Sequence, residues 1–177
     1  MARKYQIIYA DPPWPENSTM ASGSSPTNHY PCMTKGQLLS FPVIREVADE
    51  NCLLFLWSPA RHLEFAFNCA NGWGFKYSTV AFVWNKRLPV VGMYNMTYCE
   101  FVLLFKKGKV PLPYGARNVK QYVEVTRTFH SKKPEEVRKR IEQMFPKASR
   151  IELFARQTSP GWDVWGNEVE CASVGSP

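Results

Sequence analysis

The sequence has no long hydrophobic run. Its longest apolar stretches, such as Cys52 to Trp57 and Phe101 to Phe105, are far shorter than the ~20 residues a spanning helix needs. No membrane association is expected. Met1-Ala2-Arg3-Lys4 passes straight into a strand-like run, so no signal peptide is expected either. Cysteine pairs are also missing: Cys32, Cys52, Cys69, Cys99 and Cys171 are odd in number and widely spaced, and His29, His62 and His130 are scattered singly. Neither a disulfide framework nor a zinc or iron–sulfur spacing emerges. No structural metal is expected, and a reducing, cytoplasmic setting is. Cys52, Cys69 and Cys99 read as small buried hydrophobes. Finally, no Gly-x-Gly-x-x-Gly turn follows a strand, because Gly72-Trp73-Gly74 comes after a helical pattern.

Acidic residues are the minority charge: 15 Asp plus Glu stand against 22 Lys plus Arg, a net +7. Such a balance favours polyanionic partners, nucleic acid among them, although many small proteins are basic without a specific reason. What is abundant is apolar and aromatic. Hydrophobic residues make up 45% of the 177, too many for a disordered chain, and that length suits one core better than two small ones. We expect a single domain over residues 1–170 and a frayed polar tail over 171–177.

Short apolar runs alternate with amphipathic segments. Tyr5 to Ala10 predicts a strand that stops at Asp11-Pro12-Pro13, where proline donors are missing. The polar, aperiodic stretch from Pro15 to Pro31 predicts a long loop of functional interest. Thr34 can cap a helix carrying Leu38 and Leu39, which Pro42 must break or restart. Cys52 to Trp57 predicts a strand buried on both faces. His62 to Asn71 predicts a helix stopped by Gly72, and Tyr77 to Trp84 a strand. Asn85 to Tyr98 has no helical period and contains Pro89 and Gly92, so a second long loop is expected. Further strands are expected over Cys99 to Phe105, Tyr122 to Thr126 and Arg150 to Phe154. A helix starting at Pro134 should run to about Met144. Alternating strands and helices predict an α/β domain with a mostly parallel sheet.

Ligands of open α/β sheets bind at the carboxyl ends of strands. Asp11-Pro12-Pro13-Trp14 stands at such an end. Its carboxylate and a carbonyl preceding proline are two acceptors held by fixed φ angles, suited to the two hydrogens of an exocyclic amino group. Trp14 offers a flat face to an aromatic ring. The same four residues read equally well as a strand terminator with a solvent-facing aspartate.

Asp-Pro-Pro-Trp after an apolar strand resembles the catalytic motif of amino-methyltransferases that modify adenine at N(6). The chain resembles the branch typified by the catalytic subunit of the eukaryotic messenger-RNA adenosine methyltransferase, with bacterial and phage members. The likeness covers residues 5–169. His29-Tyr30-Pro31-Cys32-Met33-Thr34 is similar to a Tyr-x-x-Met-(Ser/Thr) segment, and Leu54-Phe55-Leu56-Trp57 to a buried strand. Gly92 with Glu100 is similar to a Gly-x7-Glu element and Lys133-Pro134 to the opening of the penultimate helix. Glu152-Leu153-Phe154-Ala155-Arg156 resembles a strand end, and Trp162 with Gly166-Asn167 the close.

The resemblance implies a Rossmann-like methyltransferase fold with permuted motif order, the catalytic motif preceding the cofactor-binding strand. It implies S-adenosyl-L-methionine as cofactor and transfer of its methyl group to the 6-amino group of adenine in nucleic acid, DNA favoured over RNA. Asp11, Pro12, Pro13 and Trp14 are the implied catalytic residues. Asp11, Pro12, Lys133, Phe154, Arg156, Gln157, Thr158, Ser159, Asn167 and Glu168 are the implied cofactor residues. Most relatives carry Gln at the Glu168 position, and Gln157-Thr158-Ser159 departs from the eukaryotic His-Asn pair. Asn28, Tyr30, Lys86, Arg87 and Glu100 are candidates for substrate contact, with Lys86, Arg87 and the Lys106 to Lys109 cluster facing phosphate. Trp57, Trp73 and Trp84 are expected in the core.

Other readings stay open. Lys133 can be a solvated residue before a helix, Arg156 a surface ion pair, Asn167 a turn residue and Glu100 a buried partner of a loop backbone. An RNA substrate is a close variant. A non-catalytic nucleic-acid platform is a different class, and assembly as a homodimer or with a related subunit is left open.

Overall fold

In the computed structural model, the residues described are 3–15, 33–92, 94–110, 113–126 and 132–166. Seven strands form one sheet: β1 (Tyr5–Ala10), β2 (Ala48–Pro59), β3 (Lys76–Val91), β4 (Met96–Lys107), β5 (Tyr122–Glu124), β6 (Arg150–Leu153) and β7 (Asp163–Trp165). Their order is β5-β3-β4-β2-β1-β6-β7. Pairings β1/β2, β1/β6, β3/β5 and β6/β7 are parallel, and only β4 runs against its neighbours β2 and β3. The expected mostly parallel α/β sheet is therefore present.

Side-chain alternation divides the core into two layers. Ile8, Ala10, Leu54 and Leu56 point to one face, where they meet helices α1 (Lys35–Leu39), α2 (Val43–Val47) and α3 (Leu63–Gly72) through Leu38, Ile44, Val47, Ala66 and Cys69. Ile7, Tyr9, Leu53, Phe55 and Trp57 point to the other face, against Val137 and Ile141 of α4 (Glu135–Met144). The continuous apolar run of β2 is explained: both faces are covered.

Local chemistry sets the ends. Thr34 accepts from the Gln37 amide at 3.2 Å while the Gln37 side chain accepts from the Thr34 amide at 2.8 Å. This reciprocal cap starts α1. Pro42 then stands immediately before α2, a restart of the helix after α1. Ala60–His62 form a 3-10 turn leading into α3. Gly72 is the last residue of α3 rather than its stop, and the left-handed position falls to Gly74, with φ of 90°. Pro134 takes the position before α4 with extended backbone, one residue earlier than expected.

The expected loop over Asn85 to Tyr98 is a correction. β3 and β4 continue through it as a hairpin, with Val90 opposite Thr97 and Val91 opposite Met96. The Gly92 amide donates to the Asn95 carbonyl at 2.9 Å to close the turn. Alternation is hard to read here because Leu88, Val90, Val91, Tyr94, Met96 and Tyr98 are all exposed. Strand β7, only three residues long, was not expected. Cys52 and Cys69 are buried as expected, whereas Cys99 is only half-buried. Trp57, Trp73 and Trp84 are all core residues. No helix among the described residues is long and apolar enough to cross a membrane, and no group of three or more metal-ligating side chains occurs among them. The expected loop over Pro15 to Pro31 falls, beyond Pro15, outside the described residues, as does the expected tail over 171–177.

Candidate active site

β1 lies between β2 and β6, with Ala10 paired to Leu56 on one side and Leu153 on the other. Asp11 therefore leaves the sheet at the carboxyl ends of three adjacent parallel strands, where such sheets place ligands. Pro12 and Pro13 fix the exit. The Trp14 amide folds back onto the Pro12 carbonyl at 2.9 Å, and the Met33 amide donates to the Pro13 carbonyl at 3.2 Å. One lone pair of the Pro12 oxygen is therefore taken by the residue two positions on, and the second remains for a ligand.

Trp14 also differs from expectation. Its indole nitrogen donates to the Trp57 carbonyl at 3.2 Å. Its ring stacks on His62 at 5.8 Å and meets the edge of Phe65 at 6.0 Å. Trp14 is buried, so it anchors the Asp11 turn to the core and does not present an open face. Burial, with Arg61 and Lys35 nearby, holds His62 below the ordinary histidine pKa, so the partner of Trp14 is a neutral imidazole.

Four charges alternate in a row that begins at Asp11. Lys133 Nζ lies 3.3 Å from Asp11 Oδ1 and 2.7 Å from Glu100 Oε2, and Lys86 Nζ lies 3.1 Å from Glu100 Oε1. The Lys133 ammonium also sits over the Trp57 ring, 5.1 Å from its centroid. Lys133 arrives from the turn before α4 and Glu100 from β4, which places it opposite Pro59 at the carboxyl end of β2. Burial raises the Asp11 carboxyl above the ordinary aspartate pKa, with Glu100 adding to it, and Lys133 and Arg156 only partly offset the rise. Burial would also raise Glu100, yet Lys133 and then Lys86 outweigh it and hold Glu100 below its usual pKa. Lys133 itself, despite burial, is pushed up by Asp11 and Glu100. The cluster thus holds two ammonium groups and two carboxyl groups, whose opposite charges offset one another.

Behind it lies a second ion pair, Arg138 of α4 with Glu152 of β6, at 2.6 Å. Tyr9 is buried beside this pair, and its hydroxyl accepts from the Trp57 indole at 2.6 Å. Burial and the Glu152 charge push Tyr9 far above the ordinary tyrosine range.

The third side of the site is the end of β6. Phe154 has φ of 61°, a left-handed conformation costly for a bulky residue. Its ring packs on Phe41 at 4.8 Å and Trp165 at 5.8 Å. The Ala155 amide donates to the Trp165 carbonyl at 3.0 Å. Gly166 then passes so close to Ala155 that a Cβ there would run into the Ala155 backbone. Arg156, Gln157 and Thr158 are exposed and Ser159 half-buried, on the turn between β6 and β7 at the Asp11 end of the sheet.

The structure thus brings together Asp11, Pro12, Lys133, Glu100, Phe154 and Arg156. Asn28, Tyr30, Asn167 and Glu168 lie outside the described residues. Two expectations of phosphate contact are corrected. Lys86 is buried in its ion pair with Glu100. The Lys106 to Lys109 cluster lies at the opposite end of the sheet, since Lys107 pairs with Cys52 and Glu100 with Pro59; at the usual rise that is about 23 Å of strand. Arg87 is exposed and lies 3.4 Å from Glu124. Sequence reasoning missed the inward turn of Lys86 and the Trp57 ring beneath Lys133. The available signal was that Trp57 ends the β2 run beside the proline turn.

The MT-A70 family model matches residues 5–168. The chain is 42% identical to the Type II methyltransferase M.MunI of Mycoplasma sp over 184 residues, covering 94% of this chain and 78% of that protein. It is 29% identical to the human N(6)-adenine-specific methyltransferase METTL4 and 27% identical to the human N(6)-adenosine-methyltransferase catalytic subunit METTL3, each over 94% of this chain. It spans only 38% and 28% of those two longer proteins. The chain belongs to the MT-A70 family.

Proposed function

We propose that this chain is an S-adenosyl-L-methionine-dependent methyltransferase acting on the 6-amino group of adenine in nucleic acid, with DNA the favoured substrate. The observation that carries the reading is Asp11, fixed by two prolines at the carboxyl end of a central strand and flanked by Lys133 and Arg156. DNA is favoured on the likeness to M.MunI, named a Type II methyltransferase, of which the chain spans 78%. Action in the cytoplasm follows on the same reading.

The donor set fits the cofactor. A methionine end carries one ammonium and one carboxylate, and the site offers the Asp11 carboxylate beside the Lys133 and Arg156 cations. Phe154, Gln157, Thr158 and Ser159 would line the nucleoside, with Asn167 and Glu168 at the ribose hydroxyls. When bound, the cofactor supplies an electrophilic methyl group. With Asp11-Pro12-Pro13-Trp14 ahead of the β6 end in sequence, the motif order is the permuted one.

This chain's own part is positioning. The amino nitrogen of adenine is a poor nucleophile because its lone pair is delocalised into the ring. The ionised Asp11 carboxylate accepts one amino hydrogen and the remaining lone pair of the Pro12 carbonyl accepts the other. Both acceptors are rigid before substrate arrives, so no reorganisation is needed at the moment of reaction. Pro13 and Trp14 act by holding that turn against Trp57 and His62. No base need remove a proton before transfer, because the positive charge of a sulfonium donor would pass to the amine with the methyl group, and the methylated amine would shed its proton afterwards. Arg87 and the Leu88–Tyr98 hairpin, projecting from the same end of the sheet, are candidates for contact with the nucleic acid, together with Asn28 and Tyr30.

The test is a tritiated-methyl transfer assay across single- and double-stranded DNA and RNA oligonucleotides, followed by nucleoside mass spectrometry. N(6)-methyladenine in DNA products is expected. Absence of label in every substrate, with no calorimetric binding of S-adenosylmethionine, would instead indicate a non-catalytic platform or a required partner chain.

A further inference from the structure

Lys86 is turned into the protein by a distortion of its strand. Asn85 pairs with Cys99 and Val90 with Thr97, so the four residues Lys86 to Pro89 stand opposite the single residue Tyr98. Bulges of this kind re-aim side chains next to functional sites. Arg87 adopts φ of 60°, and its amide is held by the Asn85 side-chain oxygen at 2.9 Å. The other end of that amide side chain donates to the Tyr122 hydroxyl at 2.8 Å. The bulge sends neighbours opposite ways: Arg87 reaches out towards Glu124, while Lys86 is 6% exposed and meets Glu100. An aliphatic side chain would satisfy burial there, so the buried ammonium and the strained backbone beside it call for a reason.

We propose that Lys86 is a positioning residue of the methyl-transfer site, which by holding one oxygen of Glu100 leaves Lys133 shared between Glu100 and Asp11. This rests on the function proposed above. Each Glu100 oxygen faces one ammonium, Lys86 at 3.1 Å and Lys133 at 2.7 Å. Without Lys86, the whole Glu100 charge falls on Lys133 and draws it from Asp11, its more distant partner at 3.3 Å. The cluster then holds two carboxyl groups and one ammonium. The charged groups acting on Asp11 are Lys133 ahead of α4, Glu100 on β4, Arg156 beyond β6 and Glu152 on β6. With Lys133 withdrawn, Arg156 is the remaining cation among them, and Asp11 takes up a proton more readily. A protonated Asp11 is a poorer acceptor for the amino group. The influence of Lys86 therefore runs through Glu100 and Lys133, without contact with substrate.

The test compares full-length Lys86→Met and Lys86→Arg with the wild type. Two readouts are taken across pH: steady-state transfer, and a carbon NMR titration of the Asp11 carboxyl, assigned by its loss in Asp11→Asn. Lys86→Met should lower kcat about tenfold or more and move both the acid limb and the Asp11 titration up by about one unit. The KM for oligonucleotide and the salt dependence of its binding should stay unchanged, and Lys86→Arg should restore the wild-type limb. An unmoved Asp11 titration overturns the proposal, as does a weaker oligonucleotide affinity with a flattened salt slope, which would make Lys86 a phosphate contact. If Lys86→Met does not fold, Lys86→Met combined with Glu100→Gln removes both charges. In that variant Lys133 serves Asp11 alone, so an Asp11 titration at or below the wild-type position supports the relay through Glu100, and one shifted upward overturns it. Should the wild type transfer no methyl group, the proposed function fails, while the NMR titration still decides the role of Lys86.

Discussion

Lys133 Nζ stands 3.3 Å from the Asp11 carboxylate, and the two residues are brought together from positions far apart in the chain. One ends the central strand and the other precedes the last helix, so each depends on the fold to meet the other. Lys133 counteracts the cost of burying Asp11, and Asp11 keeps Lys133 charged.

Removing the carboxylate should remove the reaction but not the fold. Asp11→Asn keeps the shape of the side chain and loses its charge. Transfer should fall by about 10²–10³-fold, the range seen when one preorganised electrostatic contact is deleted. Circular dichroism and the unfolding midpoint should stay near wild type, since burying the ionised group is opposed by desolvation. Near wild-type transfer by this variant would sink the proposed mechanism.

The pH dependence has a defined sign. Asp11 must be ionised to accept amino hydrogens, and burial lifts its pKa. The acid limb of kcat at saturating cofactor should therefore lie above the ordinary aspartate range. Lys133→Met removes the larger of the two cations opposing that lift, so the limb should move higher still. Stability follows linkage. Asp11 binds its proton more tightly folded than unfolded, so its contribution declines as pH rises from the unfolded to the folded pKa. Glu100 acts oppositely: its pKa is lowered by Lys133 and Lys86, and its contribution is lost as pH falls through the folded value. Urea midpoints of Glu100→Gln against wild type along an acid series should converge at low pH.

Gly166 is a packing requirement. Any Cβ there meets the Ala155 carbonyl and amide, and both are backbone, which has little room to yield. Gly166→Ala should cost about 1–3 kcal/mol, read as a lowered thermal midpoint. Because Ala155 adjoins Phe154 and Arg156, cofactor affinity by calorimetry should weaken alongside. An unchanged midpoint would show that the end of β7 can move freely.

The Arg138–Glu152 pair behind the site should behave as a buried pair. Its side chains are 11% and 14% exposed. Arg138→Leu leaves Glu152 without its cation and should cost about 3–5 kcal/mol, whereas Arg138→Leu with Glu152→Leu should recover much of that loss. Denaturant midpoints of the two single variants and the double variant give the coupling directly. Additive losses would mean that the two groups do not depend on one another.

Much of this was legible in the residues themselves. The apolar runs of β1 and β2, the Thr34 cap and the helix after Pro134 are local signals, and they formed where local chemistry placed them. The hairpin over Asn85 to Tyr98 was not legible, because it has no buried face to impose alternation. Strand β7 was too short to be read apart from its neighbour β6. Trp14 read as a free aromatic face, yet it is packed between His62 and Phe65, a partner set assembled from α3 and the turn before it.

The sequence by itself determined that strands and helices alternate, that Asp11 and two prolines terminate a strand, and that the balance of charge is basic at +7. Each follows from short-range preference or simple counting. Only the tertiary structure decided which charges are available. Lys86 is turned inward by a bulge, Lys106 to Lys109 are carried to the far end by an antiparallel strand, and Lys133 is held between Asp11 and Glu100. Sequence spacing along β4 cannot say which end of the sheet a lysine occupies, because that depends on the direction in which the strand runs beside its neighbours.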